Sequence, residues 1–220
     1  MGTMSGGAGE AAEELVHIDA DGVRLEGALA VPAGAAGIVL FAHGSGSSRL
    51  SPRNNYVAGV LRGEGLATLL FDLLTAEEDS DYERRFDIPL LATRLAAATS
   101  WVAGREGTGG LAIGYFGAST GAAAALVASC ETALEVSAIV SRGGRPDLAG
   151  PYLARVAAPT LLVVGGLDTE VIELNRMAAE ELRCEKEMAI VPGATHLFEE
   201  AGTLEEVAAL AATWFKSHLG

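Results

Sequence analysis

The sequence predicts an α/β domain with a mostly parallel sheet, and three observations lead to that prediction. Short apolar runs of strand length alternate with segments of helix length along nearly the whole chain. Most of these runs are continuously apolar, as expected for parallel strands that helices cover on both faces. Half of the 220 residues are hydrophobic, so the chain can bury a sizeable core.

The chain begins with a predicted β-hairpin. Apolar and polar residues alternate on either side of Asp21-Gly22, a dipeptide that is typical of tight hairpin turns. Ile38–Ala42 is the next predicted strand, because the run is apolar throughout. A helix with apolar residues at helical spacing follows from Pro52 and ends at the Gly-Glu-Gly of residues 63–65.

The same alternation continues to the C-terminus, with Pro89 in the first turn of a helix, where proline is tolerated. The strands expected after Pro52 are LATLLFD, GLAIGYF, VSAIVS, PTLLVVGG and EMAIVPG. The helices expected among them are IPLLATRLAAATSWVAG, the alanine block after Ser119, DTEVIELNRMAAEELR and TLEEVAALAATWFKSHL. No linker or repeat divides the chain, so we expect a flexible leader over residues 1–14 and a single domain over residues 15–220.

Charge and cysteine content exclude several classes of function. The formal net charge is −14 and no Lys/Arg cluster interrupts it, so nucleic acid is an unfavourable partner. The two cysteines fit no metal-ligand pattern and favour a reducing compartment, and we expect neither a metal nor a cofactor. No signal peptide is visible, and no apolar run reaches the roughly 20 residues of a membrane helix. We therefore expect a cytoplasmic protein that acts on a small molecule, and its oligomeric state stays open.

Ser119 is the first candidate for catalysis. Ligands in open α/β sheets bind at the carboxyl ends of strands, and Ser119 follows such a strand in the sequence Gly-Ala-Ser-Thr-Gly. The small neighbours allow a sharp, strained turn between the strand and the alanine-rich helix, which would expose the serine hydroxyl. A tight turn without catalytic function is the alternative, and the strand–turn–helix context favours a nucleophile.

A serine nucleophile needs a histidine base and a carboxylate that orients it. Asp168 and His196 each follow a later strand, and the order Ser119, Asp168, His196 is the one expected for a nucleophile elbow. Each residue taken singly has a structural alternative: Asp168 as the N-cap of the next helix, and His196 as a loop histidine packed on Phe198. The agreement of residue type, position and order favours a triad. Asp147 also follows a strand and is a weaker candidate for the acid.

Two backbone amides are predicted to form an oxyanion hole. Thr120 begins the helix after the nucleophile, and Ser45 lies in the His-Gly-Ser-Gly-Ser turn after the third strand. Their N–H groups would stabilise negative charge on an acyl oxygen. His43 opens this turn, next to the site. We favour a structural histidine that hydrogen-bonds the backbone over one that contacts substrate.

Further residues at the same edge could shape the substrate site. Arg142 and Arg145 follow a strand and could bind a substrate carboxylate, but pairing with a local acid such as Asp147 is favoured. Residues 75–88 could form a lid, although a solvated acidic loop fits their composition better. The structural interpretation is therefore preferred for both features.

The motifs HGSGS, GASTG, GGLD and GATHLF resemble those of the α/β-hydrolase superfamily, and within it the dienelactone hydrolase-like family. The resemblance extends from about Leu15 to the last helix. It implies an α/β-hydrolase fold: an eight-stranded, mostly parallel sheet with an antiparallel N-terminal hairpin, helices on both faces and no large cap domain. It also implies hydrolysis of an ester or related acyl bond through an acyl-enzyme. Dienelactone hydrolases carry a cysteine at the nucleophile position, where this chain has Ser119.

A serine hydrolase that acts on a small-molecule ester is therefore the expected function. An acyltransferase or perhydrolase would use the same residues with an acceptor other than water. A hydrolase fold without activity, which serves as a binding protein, is a further alternative. A nucleotide-binding protein is disfavoured, because GSGSSR lacks the third glycine of a dinucleotide fingerprint and the Gly-Lys-Ser/Thr of a P-loop.

Overall fold

An eight-stranded sheet runs through residues 11–220, the part of the chain that the structure, a computed structural model, describes. The strands are β1 Glu14–Ala20, β2 Val23–Ala30, β3 Gly37–Ala42, β4 Ala67–Phe71, β5 Ala112–Ala118, β6 Ala138–Arg142, β7 Thr160–Gly165 and β8 Lys186–Val191. Their order in the sheet is β1-β2-β4-β3-β5-β6-β7-β8. Strand β2 is antiparallel to both of its neighbours, and the pairs from β4 to β8 are parallel.

Helices cover both faces of this sheet. They are α1 Pro52–Gly63, α2 Ala76–Asp79, α3 Ile88–Gly104, α4 Thr120–Glu131, α5 Thr169–Glu181 and α6 Thr203–Leu219. Helices α1 and α6 pack on one face, whereas α3, α4 and α5 contribute to the core on the other. The predicted α/β-hydrolase fold is thereby confirmed.

The N-terminal hairpin follows from its turn residues. Asp21 and Gly22 have positive φ angles of 49° and 82°, which the two-residue turn between β1 and β2 requires. Alternate residues of β1 are buried, so one face of the hairpin joins the core. Strand β1 begins at Glu14, the last residue of the predicted leader, and residues 1–10 of that leader lie outside the described residues. The division into a leader and a single domain stays a prediction.

Helix α4 lies close to the sheet because its residues are small. Most of the helix is buried. A side chain at Gly121 would overlap the carbonyl oxygen of Ala42 in β3, and a Cβ atom at Gly117 would lie 2.5 Å from Cα of Ala122. The two glycines of the Gly-Ala-Ser-Thr-Gly turn therefore set how closely the helix approaches the strands.

Most of residues 75–88 are exposed to solvent, in keeping with the interpretation as a solvated acidic segment, but the segment is not an irregular loop. It contains α2 and a 3-10 helix at Arg84–Phe86. Glu78 is buried and pairs at 3.0 Å with the buried Arg94 of α3. A buried carboxylate needs such a partner, and the partner lies far away in sequence. The segment is thus attached to the body of the fold at this point.

The connection between β6 and β7 is short. It forms 3-10 turns over Pro146–Arg155 with a kink at Gly150. No large cap domain follows the sixth strand, as the fold prediction expected. None of the helices between residues 11 and 220 has both the length and the apolarity that a membrane crossing requires.

Candidate active site

Ser119 lies at the sharp turn between β5 and α4. Its φ and ψ angles of 50° and −120° fall outside the regions that non-glycine residues prefer, so the turn is strained. The Ser119 amide donates to the Arg142 carbonyl at 3.3 Å, and the Ser119 carbonyl accepts from the Arg145 amide at 3.1 Å. Gly44 lies directly against the serine, because a Cβ atom there would be 3.0 Å from Cβ of Ser119. The residue is partly exposed, so a substrate can reach it.

Asp168 and His196 follow β7 and β8 and meet at the same edge of the sheet. Nδ1 of His196 lies 2.7 Å from Oδ2 of Asp168. Because an ionised carboxylate only accepts hydrogen bonds, this contact assigns the proton to Nδ1 and leaves Nε2 as the basic nitrogen. The Asp168 side chain makes no N-cap hydrogen bond to α5 in the described structure, so capping does not account for it. It is 16% exposed and the His196 side chain 38%, so the acid is sheltered and the base is accessible.

The loop that carries His196 is held by several contacts. Thr195 donates its amide and its hydroxyl to Glu200, at 3.0 and 2.7 Å. An arginine of α1 pairs with Glu199 at 3.0 Å. Phe198 is fully buried and has a positive φ of 55°, a strained value for an aromatic residue. The position of His196 therefore depends on a loop whose conformation its surroundings must support.

The end of β6 lies between the nucleophile turn and the histidine loop. The Arg142 carbonyl oxygen accepts a hydrogen bond from the Ser119 amide. A Cβ atom at Gly143 would lie 3.0 Å from the His196 carbonyl oxygen. Within residues 11–220, no hydrogen bond joins the Ser119 hydroxyl to the imidazole. Contacts of this kind are often long without substrate and shorten when it binds. The three residues predicted as a triad thus share one edge of the sheet, with the acid and the base in direct contact.

The two predicted oxyanion donors differ in their present hydrogen bonds. Thr120 is the first residue of α4, and its amide has no acceptor among the described residues, as expected at a helix N-terminus. The Ser45 amide instead donates to Oγ1 of Thr120 at 2.9 Å. The two residues lie together at the site, but the Ser45 amide is already hydrogen-bonded to the Thr120 hydroxyl.

His43 is integrated into the main chain of the turn after β3. Its Nδ1 lies 3.0 Å from the Gly44 carbonyl oxygen, and its Nε2 accepts the Leu73 amide at 3.0 Å. Burial lowers the pKa of His43, which keeps the ring neutral. This geometry fits the structural interpretation of His43 better than a contact with substrate.

A cavity of about 220 Å³ opens beside His43, between the turn after β3 and the segment after β4. Arg49 lines it and pairs with Glu26 at 2.6 Å. The Arg49 amide also donates to the Asp72 carboxylate at 2.8 Å. Sequence reasoning did not identify Arg49 or this cavity, because the pairing partners come from three separate strands or turns.

Arg85 is a second residue near the site that sequence reasoning missed. A small pocket lined by Arg85, Asp79 and residues 43–46 adjoins the larger cavity. Arg85 donates from Nη2 to the Asp79 carboxylate at 3.2 Å, and from Nε to the Asp79 carbonyl oxygen at 2.7 Å. The available signal was a pair of arginines within the acidic residues 75–88.

The two arginines predicted after β6 have different surroundings. Arg145 forms a bidentate pair with Asp147 at 2.9 and 2.8 Å, as the sequence favoured, and these hydrogen bonds raise the pKa of Arg145. Asp147 is thereby engaged away from the imidazole. For Arg142 the expected acidic partner was wrong: it is 6% exposed and donates to the Asn54 amide oxygen at 3.2 Å. Its side chain turns toward α1 instead of the loop, a direction that the local sequence does not determine.

The chain is similar over almost its whole length to a protein of solved structure. The dienelactone hydrolase of Anabaena variabilis ATCC 29413 shares 55% identity and a TM-score of 0.93, over 96% of this chain and 100% of that chain. This chain belongs to the dienelactone hydrolase family. More distant structures share the α/β-hydrolase fold. Est1E of Butyrivibrio proteoclasticus has 16% identity and a TM-score of 0.78 over 92% of this chain and 98% of that chain. The Pyrococcus furiosus esterase Pf2001 has 20% identity and a TM-score of 0.74 over 96% of this chain and 94% of that chain.

No protein-family model matches this dienelactone hydrolase family member. Two curated relatives from Mycobacterium tuberculosis strains CDC 1551 and H37Rv, each named "Putative phosphoribosyl transferase", are 58% identical over 207 residues. The match covers 94% of this chain and 47% of each relative, so the chain spans about half the length of the curated relatives it matches.

Proposed function

We propose that this member of the dienelactone hydrolase family is a serine hydrolase that cleaves an ester, or a related acyl bond, of a small molecule. One observation supports the proposal most strongly: the 2.7 Å hydrogen bond between His196 and Asp168, at the sheet edge that also carries the strained turn of Ser119. A sheltered acid, an accessible base and a serine on a strained strand-to-helix turn are the parts of an acyl-transfer triad.

In the proposed reaction, Nε2 of His196 takes the hydroxyl proton of Ser119 as the serine oxygen attacks the acyl carbon. Asp168 keeps the imidazole in the required tautomer and stabilises its cation. Transfer of the proton to the leaving alcohol completes cleavage of the C–O bond and leaves an ester on Ser119. Water then attacks this ester while His196 accepts a water proton, the acid is released, and Ser119 regains its hydrogen.

The negative charge on the acyl oxygen would be stabilised by the amides of Thr120 and Ser45. The Thr120 amide has no acceptor in the described chain and can bind the oxygen directly. The Ser45 amide becomes available when the Thr120 hydroxyl rotates away, because that hydroxyl is its present acceptor. The substrate oxygen would then replace the hydroxyl as the hydrogen-bond acceptor.

The cavity of about 220 Å³ beside the oxyanion turn favours a small, uncharged polar group. The Arg49 guanidinium pairs with Glu26 and that of Arg85 with Asp79, so each cation near the cavity has a carboxylate partner. A charged group on the substrate would have to compete with one of these pairs, at a cost in desolvation. We therefore expect an anionic ester to have no advantage over a neutral ester of the same size.

Replacement of the serine tests the proposed function. Ser119→Ala should lower kcat for a p-nitrophenyl ester by on the order of 10⁴-fold or more, because it removes the nucleophile. A fluorophosphonate should label the wild type at Ser119, located by mass spectrometry, and should leave the variant unlabelled. Ser100→Ala removes an exposed hydroxyl of α3 and should behave as the wild type. Full activity of Ser119→Ala, or folded wild type that does not react, would contradict the proposal.

Two alternatives involve the same site, and the fluorophosphonate label together with product analysis distinguishes them. Acyl transfer to an acceptor other than water would give a label on Ser119, with a transfer product instead of the free acid when alcohols or peroxide are present. A binding protein without activity would give neither label nor product. Nε2 of His196 has no partner among residues 11–220, and this nitrogen together with the strained Ser119 turn favours an active enzyme over a binding protein without activity.

The transferase name of the curated relatives needs an interpretation of its own. We infer that it refers to the part of those proteins that this chain does not cover. The reason is that a dienelactone hydrolase of solved structure matches this chain over 100% of its own length. A phosphoribosyl transferase activity is therefore not part of the proposed function.

A further inference from the structure

We propose that Arg142 is a positioning residue that couples the nucleophile turn to the loop of the base. This inference rests on the proposed function, because it concerns the arrangement of Ser119 and His196. Among residues 11–220, the non-glycine residues with positive φ are Asp21, Ser119 and Phe198. Asp21 belongs to the hairpin turn, and the other two lie at the site. Arg142 contacts both of them.

The main chain of Arg142 holds the nucleophile turn. Its carbonyl accepts the Ser119 amide at 3.3 Å, and it pairs with Ala118 in the ladder between β5 and β6. The next residue, Gly143, has a positive φ of 51° and lies against the main chain of His196. The end of β6 is therefore in contact with the serine turn and with the histidine loop at the same time.

The side chain of Arg142 lies beneath the histidine loop. Its guanidinium carbon is 5.8 Å from the centroid of the Phe198 ring, within the range of a cation–π contact. Nη2 donates to the Asn54 amide oxygen at 3.2 Å, and Nε has no hydrogen-bond partner in the described part of the chain. Burial, together with the nearby charge of Arg53, lowers the pKa of Arg142 to about 10.

A buried guanidinium without a carboxylate partner destabilises a fold, so its presence here needs a reason. The conformation of Phe198 is costly as well, since a bulky residue at positive φ persists only when its surroundings enforce it. Arg142 supplies part of that support through the ring it contacts. Without the guanidinium, Phe198 can relax, and His196, two residues earlier, shifts relative to Ser119.

Arg142→Met tests the coupling, because it keeps an unbranched apolar stem and removes the guanidinium with its charge and donors. We expect kcat to fall by about 10²-fold, the effect of displacing a catalytic group by about 1 Å, while KM stays within about twofold. Arg142→Lys keeps the charge and should recover about tenfold of the loss. Arg155→Met controls for the loss of an arginine–aromatic contact: the exposed Arg155 lies 4.9 Å from the Tyr152 ring centroid, at the far end of α4 from Ser119.

Chemical rescue separates a local role from a general folding role. In Arg142→Ala, millimolar methylguanidinium should bind the vacated space and restore part of kcat, and it should leave Arg155→Ala unchanged. If Arg142→Met fails to fold, Arg142→Lys and the rescue provide the test. Wild-type kcat in Arg142→Met overturns the proposal. A raised KM at unchanged kcat also overturns it, because that result would indicate a contact with substrate.

The NMR signals of the His196 and Phe198 rings distinguish failure of this proposal from failure of the proposed function, because they report the loop without turnover. We expect both signals to shift in Arg142→Met and not in Arg155→Met. If Ser119→Ala keeps wild-type activity, the function is wrong, and the signals still test the coupling. If Ser119→Ala is inactive while Arg142→Met changes neither kcat nor the signals, the coupling alone is wrong.

Discussion

His43 follows β3 and His196 follows β8, so both histidines lie at the edge where the parallel strands end. His43 is 7% exposed, and the main chain engages both of its ring nitrogens. His196 is accessible, with Nδ1 bound to Asp168 and Nε2 without a partner in the described chain. The partners of the ring nitrogens therefore distinguish a structural histidine from a candidate base. Residue type and position at the edge do not.

The turns around the two histidines are also stabilised differently. Around His43, neutral hydrogen bonds to the main chain engage both ring nitrogens. Around His196, the loop contains the strained Phe198, and the buried Arg142 beneath it has no acidic partner within residues 11–220. Strain and unpaired charge lower stability and persist where function needs a specific geometry. The two histidines should therefore respond to mutation in opposite ways.

Removal of the accessible histidine should have the largest effect on activity. His196→Ala should lower kcat by on the order of 10⁴-fold or more, because the serine loses its general base. Its free energy of unfolding, measured by urea denaturation, should change by less than about 1 kcal/mol, since the side chain is partly exposed. A His196→Ala variant with wild-type kcat would show that His196 is not the general base.

Removal of the buried histidine should affect stability first. His43→Ala leaves the buried Leu73 amide without its acceptor, and a buried unsatisfied donor costs about 1–3 kcal/mol. Urea denaturation should show this loss, and His196→Ala serves as the control of equal side-chain size. If His43→Ala were as stable as the wild type, the assignment of a structural function to His43 would be wrong.

The smallest expected effect is on the pH dependence of stability, in which the wild type and a His43→Gln variant should differ. Burial lowers the pKa of His43 in the folded chain below the ordinary value of about 6.5. Below that pH the unfolded state binds a proton that the folded state does not, so stability falls as the pH falls, by at most about 1.4 kcal/mol per pH unit. His43→Gln lacks this contribution, and its unfolding free energy should therefore decrease less between pH 7.5 and 5. Parallel curves for the two proteins would contradict the shift.

Much of the fold could be predicted because its signals are local. The helix predicted from Ile88 has the observed bounds, since proline at its start and apolar spacing along it are properties of neighbouring residues. The hairpin at Asp21-Gly22 follows in the same way from turn chemistry. Ser119, Asp168 and His196 could be nominated because each lies in the connection after a strand, in a type of sheet whose sites form at that edge.

Side-chain partners that come from distant parts of the sequence could not be predicted. Residues 75–88 are mostly exposed, as their acidic composition indicated, but nothing in that composition signalled the buried pair of Glu78 with Arg94 on another helix. The Thr120 hydroxyl accepts the Ser45 amide across a separation of 75 residues, which no local pattern records. These contacts depend on how helices and strands pack, and that packing is a property of the whole domain.

By itself, the sequence determined the order of strands and helices, the family resemblance and the identity of the candidate nucleophile, acid and base. Only the tertiary structure decided which histidine has a ring nitrogen without a partner among the described residues, and that Arg142 turns beneath the histidine loop while Arg145 pairs with Asp147. The physical reason is that periodicity and turn chemistry act over a few residues. Hydrogen-bond partners and burial are set by side chains that meet only after the sheet has formed.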